Sequence, residues 1–143
     1  MNWEKYDPYF KPQEFVCKCC GKEEMKEELL ELLYKARVES GIPFIINSGY
    51  RCEKHNKKVG GASNSAHLRG YAVDISCTNS NKRYDLLKVF MKYFKRVGLH
   101  KQFIHVDCDP SLPQDQVFFY WRSVNAIREI WYSTRKNYFR NNR

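Results

Sequence analysis

Two stretches of this chain alternate apolar and polar residues regularly enough to predict half-buried strands. In Tyr71–Ser76, the residues Tyr71, Val73 and Ile75 share one face, while Ala72, Asp74 and Ser76 share the other. In KQFIHVDCDP, Phe103, His105 and Asp107 lie opposite Ile104, Val106 and Cys108, and Pro110 and Pro113 close the run. PFIINSGY is a short apolar run ending in turn residues, which predicts a further strand leading into a loop. Helical spacing of Met25, Leu29, Leu32, Leu33 and Ala36 predicts a helix from Glu23 to Ser40, stopped by Gly41 and Pro43. A second amphipathic helix is predicted from Asn81 to Arg96, with Tyr84, Leu87, Met91 and Phe94 as its stripe and Gly98 at its end. Residues 51–59 suggest a short helix before the turn-rich VGGASNS. Residues 1–20, with prolines among aromatics, read as an irregular arm packed on the domain. Val124, Ile127, Trp131, Thr134 and Tyr138 return to roughly helical spacing. Helices outside a small sheet make an α+β domain.

The length of 143 residues fits one domain with a core of its own, with residues 111–143 as a basic, aromatic C-terminal extension. Hydrophobic residues at 43% and aromatics at 15% exclude a disordered chain. No apolar run is long enough to predict a membrane-spanning helix. The opening MNWEKYDPYFKPQEF has no basic start followed by an apolar stretch, so synthesis in the cytosol without a signal peptide is expected. Six cysteines in such a chain are expected to stay reduced. The cluster CKCCGK could hold a metal, but no second cysteine pair stands at zinc-finger spacing, so it reads as plain thiols. The formal charge of +9 points to an anionic partner. From Arg122 onward six basic residues face one acid, Glu129, a net +5 in that segment.

Asp74 lies between Val73 and Ile75, and a carboxylate in an apolar strand is costly unless it is paired. If the two alternating strands are neighbours, Asp74 and His105 point to the same side of the sheet. His67, carried on the SNSAH loop, then completes a set of two imidazoles and one carboxylate. Such a set suits zinc and leaves a fourth position open. Gly70 allows loop and strand to approach, and Ala72 leaves room beside Asp74. The competing reading of each histidine is a hydrogen-bonded core residue. His55 is expected to face solvent.

The same residues carry a family resemblance. SGYRCEKHNKKVGGASNSAHLRGYAVDI followed by FIHVD resembles the zinc D-Ala-D-Ala carboxypeptidase family, whose fold is shared with the hedgehog signalling domain. The family pattern S-x-H-x-x-G-x-A-x-D is met at Ser65, His67, Gly70, Ala72 and Asp74, with His105 as the later histidine. SGYR at Ser48–Arg51 matches as well, and the resemblance spans about residues 10–108. It implies a small antiparallel sheet flanked by helices, with Zn2+ held on the sheet face by His67, Asp74 and His105.

It also implies hydrolysis of peptidoglycan stem peptides, of the D-Ala-D-Ala carboxypeptidase or L-Ala-D-Glu endopeptidase type, as in some phage endolysins. Arg51 matches the arginine that holds a substrate carbonyl or carboxylate, and a guanidinium fork suits that task. Tyr50 and Ser65 are expected beside it in the substrate site, Ser65 also fixing the ligand loop. Some family branches carry an acid three residues before the last histidine, or a histidine two before it. Here Gln102 and Phe103 occupy those positions, and neither can act as a base. The candidates for that task are Asp107, about 7 Å along the strand from His105, and His100. Asp107 could equally orient His105 or His67.

A monomer acting on the bacterial cell wall, released through phage lysis, is the expectation that follows. The basic tail would meet an anionic wall polymer or membrane surface. The alternative is a zinc-stabilised wall-binding module without catalysis. Nucleic acid is a weaker partner class, because only the tail combines basic and aromatic residues.

Overall fold

The computed structural model describes residues 1–120, and the helical spacing read from Val124 onward lies outside them. Five strands form one sheet: β1 (Ile46–Ser48), β2 (Ala72–Ser76), β3 (Arg96–Leu99), β4 (Phe103–Asp107) and β5 (Gln116–Phe119). Their order is β1-β2-β4-β3-β5. The first four pair antiparallel, as expected, and β5 adds to β3 in parallel at the edge. Among the described residues, three helices complete the α+β fold: α1 (Glu27–Ser40), α2 (Glu53–Lys58) and α3 (Ser80–Tyr93). Among the described residues, no helix is long and apolar enough to cross a membrane.

The two alternating stretches pair directly, and their register sets Asp74 opposite His105 and Ala72 opposite Asp107. Val73, Ile75, Ile104 and Val106 fall on the other face. They join Leu29, Leu30 and Leu33 of α1 and Leu86, Val89 and Phe90 of α3 in one core. Tyr6, Phe10 and Phe15 of the N-terminal arm are buried in the same cluster, so the arm is part of the core. Each fully buried large apolar side chain contributes about 1.5–3 kcal/mol of transfer free energy, which ties arm, helices and sheet face together.

Four sequence expectations change in the structure. α1 begins at Glu27 rather than Glu23, because Lys26 N–H donates to Gly70 O (2.9 Å) and holds residues before the helix extended. The buried stripe of α3 is Leu86, Val89 and Phe90, whereas Tyr84 and Met91 are exposed. Gly98 does not end that helix. The chain turns extended at Phe94, and Gly98 sits inside β3 opposite His105. Finally, β5 lies within the segment read as a C-terminal extension, so residues 116–119 belong to the sheet.

Candidate active site

His67 reaches the sheet on a single 3-10 turn, Ala66–Arg69. Ser65 caps it, its Oγ accepting from His67 N–H at 3.3 Å. Gly70 closes it at φ +75, a conformation that suits glycine. A Cβ at Gly70 would lie 1.9 Å from Glu24 O, so only a residue without a side chain lets the turn approach the start of α1. Arg51 N–H donates to His67 O (3.1 Å), joining the arginine loop to this turn.

The three expected ligands converge. His67 Nε2 lies 3.1 Å from Asp74 Oδ1 and 3.3 Å from His105 Nδ1, and His105 Nδ1 lies 2.8 Å from Asp74 Oδ1. What stands behind each ring assigns its tautomer. His67 Nδ1–H donates to Gly49 O at 2.7 Å, which leaves Nε2 as a lone pair facing the cluster. His105 Nε2–H donates to Asp107 Oδ2 at 2.8 Å, which leaves Nδ1 facing the cluster. Three electron-pair donors therefore meet in a site where each residue is at most 5% exposed. Such an arrangement repels itself unless a cation lies among the donors. Zinc bonds of about 2.0–2.2 Å give tetrahedral edges of about 3.3 Å, close to the observed triangle. The donor set fits a divalent ion with an open position.

Electrostatics agree with that reading. Burial alone would raise Asp74, but the imidazoles of His67 and His105 hold it well below the usual carboxylate range. Burial lowers His67. Burial also opposes charge on His105, yet Asp107 and Asp74 outweigh it and push the ring up to about 9. In the ion-free form the pair of carboxylates thus places a proton on His105, the position a metal takes over.

Arg51 is buried and held at three points. Its Nε–H donates to Ser48 Oγ (3.0 Å), Nη1–H to Asn56 Oδ1 (3.2 Å) and Nη2–H to Asp74 Oδ2 (3.1 Å). A guanidinium has five N–H groups, so two remain. It lines a main cavity of about 590 Å³ together with Asp74, His55, His100, Phe103 and Tyr120. A second cavity of about 370 Å³ is bounded by His67, His105 and Phe118, and Arg51 and Tyr120 line both.

The remaining candidates divide. His100 lies in the main cavity wall, its ring stacked on Phe103 with centroids 4.3 Å apart. Its Nδ1 accepts from Gln102 N–H (3.1 Å), so the neutral ring carries its proton on Nε2. Burial lowers its pKa. Asp107 borders the second cavity but sits on the far nitrogen of His105: His105 Nε2–H and Arg96 Nε–H (2.8 Å) bond to its two oxygens, and it is 1% exposed. The geometry therefore corrects the reading of Asp107 as base and fits the alternative, an acceptor that orients His105. Tyr50 is also corrected, since it is half-buried against the core and lines neither cavity. Ser65 borders the second cavity. His55, expected in solvent, borders the main one.

Sequence reasoning missed Arg96, Asn56 and Tyr120. Arg96 pairs with Asp107 across β3 and β4, a relation hidden by carrying the predicted helix to Arg96. Asn56 is buried and fixes Arg51, also donating from Nδ2 to Ala62 O at 2.8 Å. Tyr120 follows β5, and its ring packs edge-on to Phe103 at 5.1 Å and His100 at 5.8 Å.

A search of curated proteins gives no match. The family model described as Peptidase M15 matches residues 8–107. That span contains the arm from Pro8 onward, the arginine loop, the ligand turn and both ligand strands, and it covers well over half of the sequence. With metal-ligand chemistry and family match in agreement, the chain belongs to the Peptidase M15 family, the metallopeptidases that its Ser65–Asp74 motif resembles.

Proposed function

We propose that this protein is a zinc-dependent peptidase that cleaves peptide bonds in the stem peptides of peptidoglycan, as a D-Ala-D-Ala carboxypeptidase or L-Ala-D-Glu endopeptidase. One observation carries the reading: three lone pairs, on His67 Nε2, Asp74 Oδ1 and His105 Nδ1, converge beside a cavity that Arg51 also lines. Zinc held there supplies Lewis acidity to a water and to the scissile carbonyl. The two N–H groups left on Arg51 suit a substrate carboxylate or carbonyl, which accepts the fork in a fixed orientation. His100, neutral with its proton on Nε2, suits a donor to the oxyanion or to the departing amine rather than the first proton acceptor. Asp107, locked between His105 and Arg96, keeps the His105 lone pair turned inward.

The wall is also the target that fits a basic chain, since peptidoglycan carries anionic polymers and free carboxylates. In this reading the protein acts as an endolysin, made inside the cell and reaching the wall at lysis. Incubation with purified sacculi, followed by mass spectrometry of the muropeptides, tests the activity. Free D-alanine identifies the carboxypeptidase, and new D-glutamate amino termini identify the endopeptidase. Product should vanish with chelator and return with zinc. A zinc-loaded protein that releases nothing from any sacculus would overturn the reading in favour of a wall-binding module, which the lack of an acid at Gln102 or Phe103 favours.

A further inference from the structure

The cysteines at 17–20 have the spacing C-x-x-C at Cys17 and Cys20, followed by Gly21. The fold turns that stretch into a tight knuckle: Gly21 N–H donates to Cys17 O and Cys17 N–H to Lys22 O, both at 2.8 Å, with Gly21 at φ +72. A second pair at finger spacing is missing from the sequence. The fold supplies the third sulfur from elsewhere, because Cys52, directly after Arg51, is brought onto the knuckle. The Cys17, Cys20 and Cys52 sulfurs all lie within 4.8 Å of one another. Cys52 N–H points at Cys17 Sγ (3.4 Å), and His55 N–H points at Cys52 Sγ (3.4 Å). Backbone N–H groups aimed at sulfur stabilise thiolates, the ligand form of cysteine. A tetrahedral zinc site with bonds of about 2.3 Å has sulfur–sulfur edges of about 3.8 Å, which three sulfurs lying within 4.8 Å of one another can meet.

We propose that Cys17, Cys20 and Cys52 hold a second, structural zinc ion, separate from the His67–Asp74–His105 site. Each thiol releases its proton to solvent as the metal binds, and no oxidation is involved. The fourth position is left to a water molecule, since the exposed Cys19 is not part of the gathered group. Three thiols gathered together suit an ion better than a disulfide, which would join two and strand the third. The ion clasps the N-terminal arm to the loop that carries Arg51. Lys18, between two of the knuckle cysteines, lines the main cavity, so the clasp borders the site on the side of the guanidinium. Its effect on Arg51 is one of positioning.

Metal content of the full chain, purified under reducing conditions, tests the proposal independently of activity. Wild type should carry two zinc ions, and both the His67→Ala/His105→Ala and the Cys17→Ser/Cys20→Ser doubles should carry one. Cys108→Ser, outside the group, should keep two. With cobalt in place of zinc, the His67→Ala/His105→Ala protein should retain the sulfur-to-metal charge-transfer absorption, and the cysteine double should lose it. A folded cysteine double that holds as much zinc as wild type would overturn the proposal. So would a disulfide among Cys17, Cys20 and Cys52 in intact mass under non-reducing conditions. If the cysteine double does not fold, the cobalt spectrum of the histidine double decides alone, because an absent charge-transfer band there excludes a sulfur site. Loss of metal from the histidine site leaves this outcome unaffected.

Discussion

At the residue scale, the cluster is built from behind: Gly49 O and Asp107 each fix the far nitrogen of an imidazole, so the near nitrogen has only its lone pair to offer. Asp107→Asn removes the charge behind His105 while keeping the shape. Zinc affinity should fall about 10- to 100-fold, measured by competition with a chromophoric chelator. An unchanged affinity would mean that Asp107 serves only Arg96. The same carboxylates set a pH dependence. The folded, zinc-free protein holds the His105 proton up to about 9, whereas the unfolded chain releases it near 6.5. Between these values the folded state binds more protons, so stability conferred by His105 is full below about 6.5 and lost as pH rises toward 9. Melting of the zinc-free protein should fall across that window, and zinc, which takes the proton's place, should remove the dependence. The pairing of Asp74 with His105 was legible because period-two alternation fixes which strand residues share a face, whereas His67, on a turn, was legible only from its motif. For Asp107 both roles were open in the sequence, and the choice between them depends on a neighbour, Arg96, in a strand that alternation did not reveal.

Among the elements, the ligand turn depends most on one backbone position. Gly70 is left-handed and presses against Glu24 O, so Gly70→Ala adds both backbone strain and a clash with main-chain atoms. A destabilisation of about 1–3 kcal/mol is expected, read by urea unfolding, with His67 displaced and zinc lost more readily. The glycine could be picked out from its motif, but its partner across the fold could not. β3 was obscured for a physical reason. Phe94 and Val97 continue apolar spacing after α3, and both are indeed buried, yet the chain has already turned extended at Phe94. Gly98 then reads as a stop signal. It is instead the gap into which the Phe118 ring fits, since a Cβ there would meet Phe118 Cε2 at 2.5 Å. β5 was masked in a similar way: its Val117 and Phe119 are exposed at a sheet edge and left no pattern of burial to find.

Across the described residues, one apolar core and one polar face divide the sheet, and the His67–Asp74–His105 cluster lies on the second. Residues 121–143 lie beyond the described part, and their prediction rests on charge. Removing them takes away a net +5 contributed from Arg122 onward. Retention on sacculi should drop most at low salt, where unscreened charge acts over about 30 Å at 0.01 M against about 8 Å at 0.15 M. Turnover of a small soluble peptide should stay near wild type. Pull-down across a salt series checks this, and equal retention by both forms would assign adhesion to the domain itself. Arg51 adds a consequence for genetics. Its three anchors come from β1, α2 and β2, so a defect in any of them reaches the cleft through one guanidinium. A deep mutational scan scored by peptidase activity would therefore mark Asn56 as intolerant, although that amide lines neither hollow. The apparent footprint of the enzyme will be wider than the ring of groups that meet its peptide.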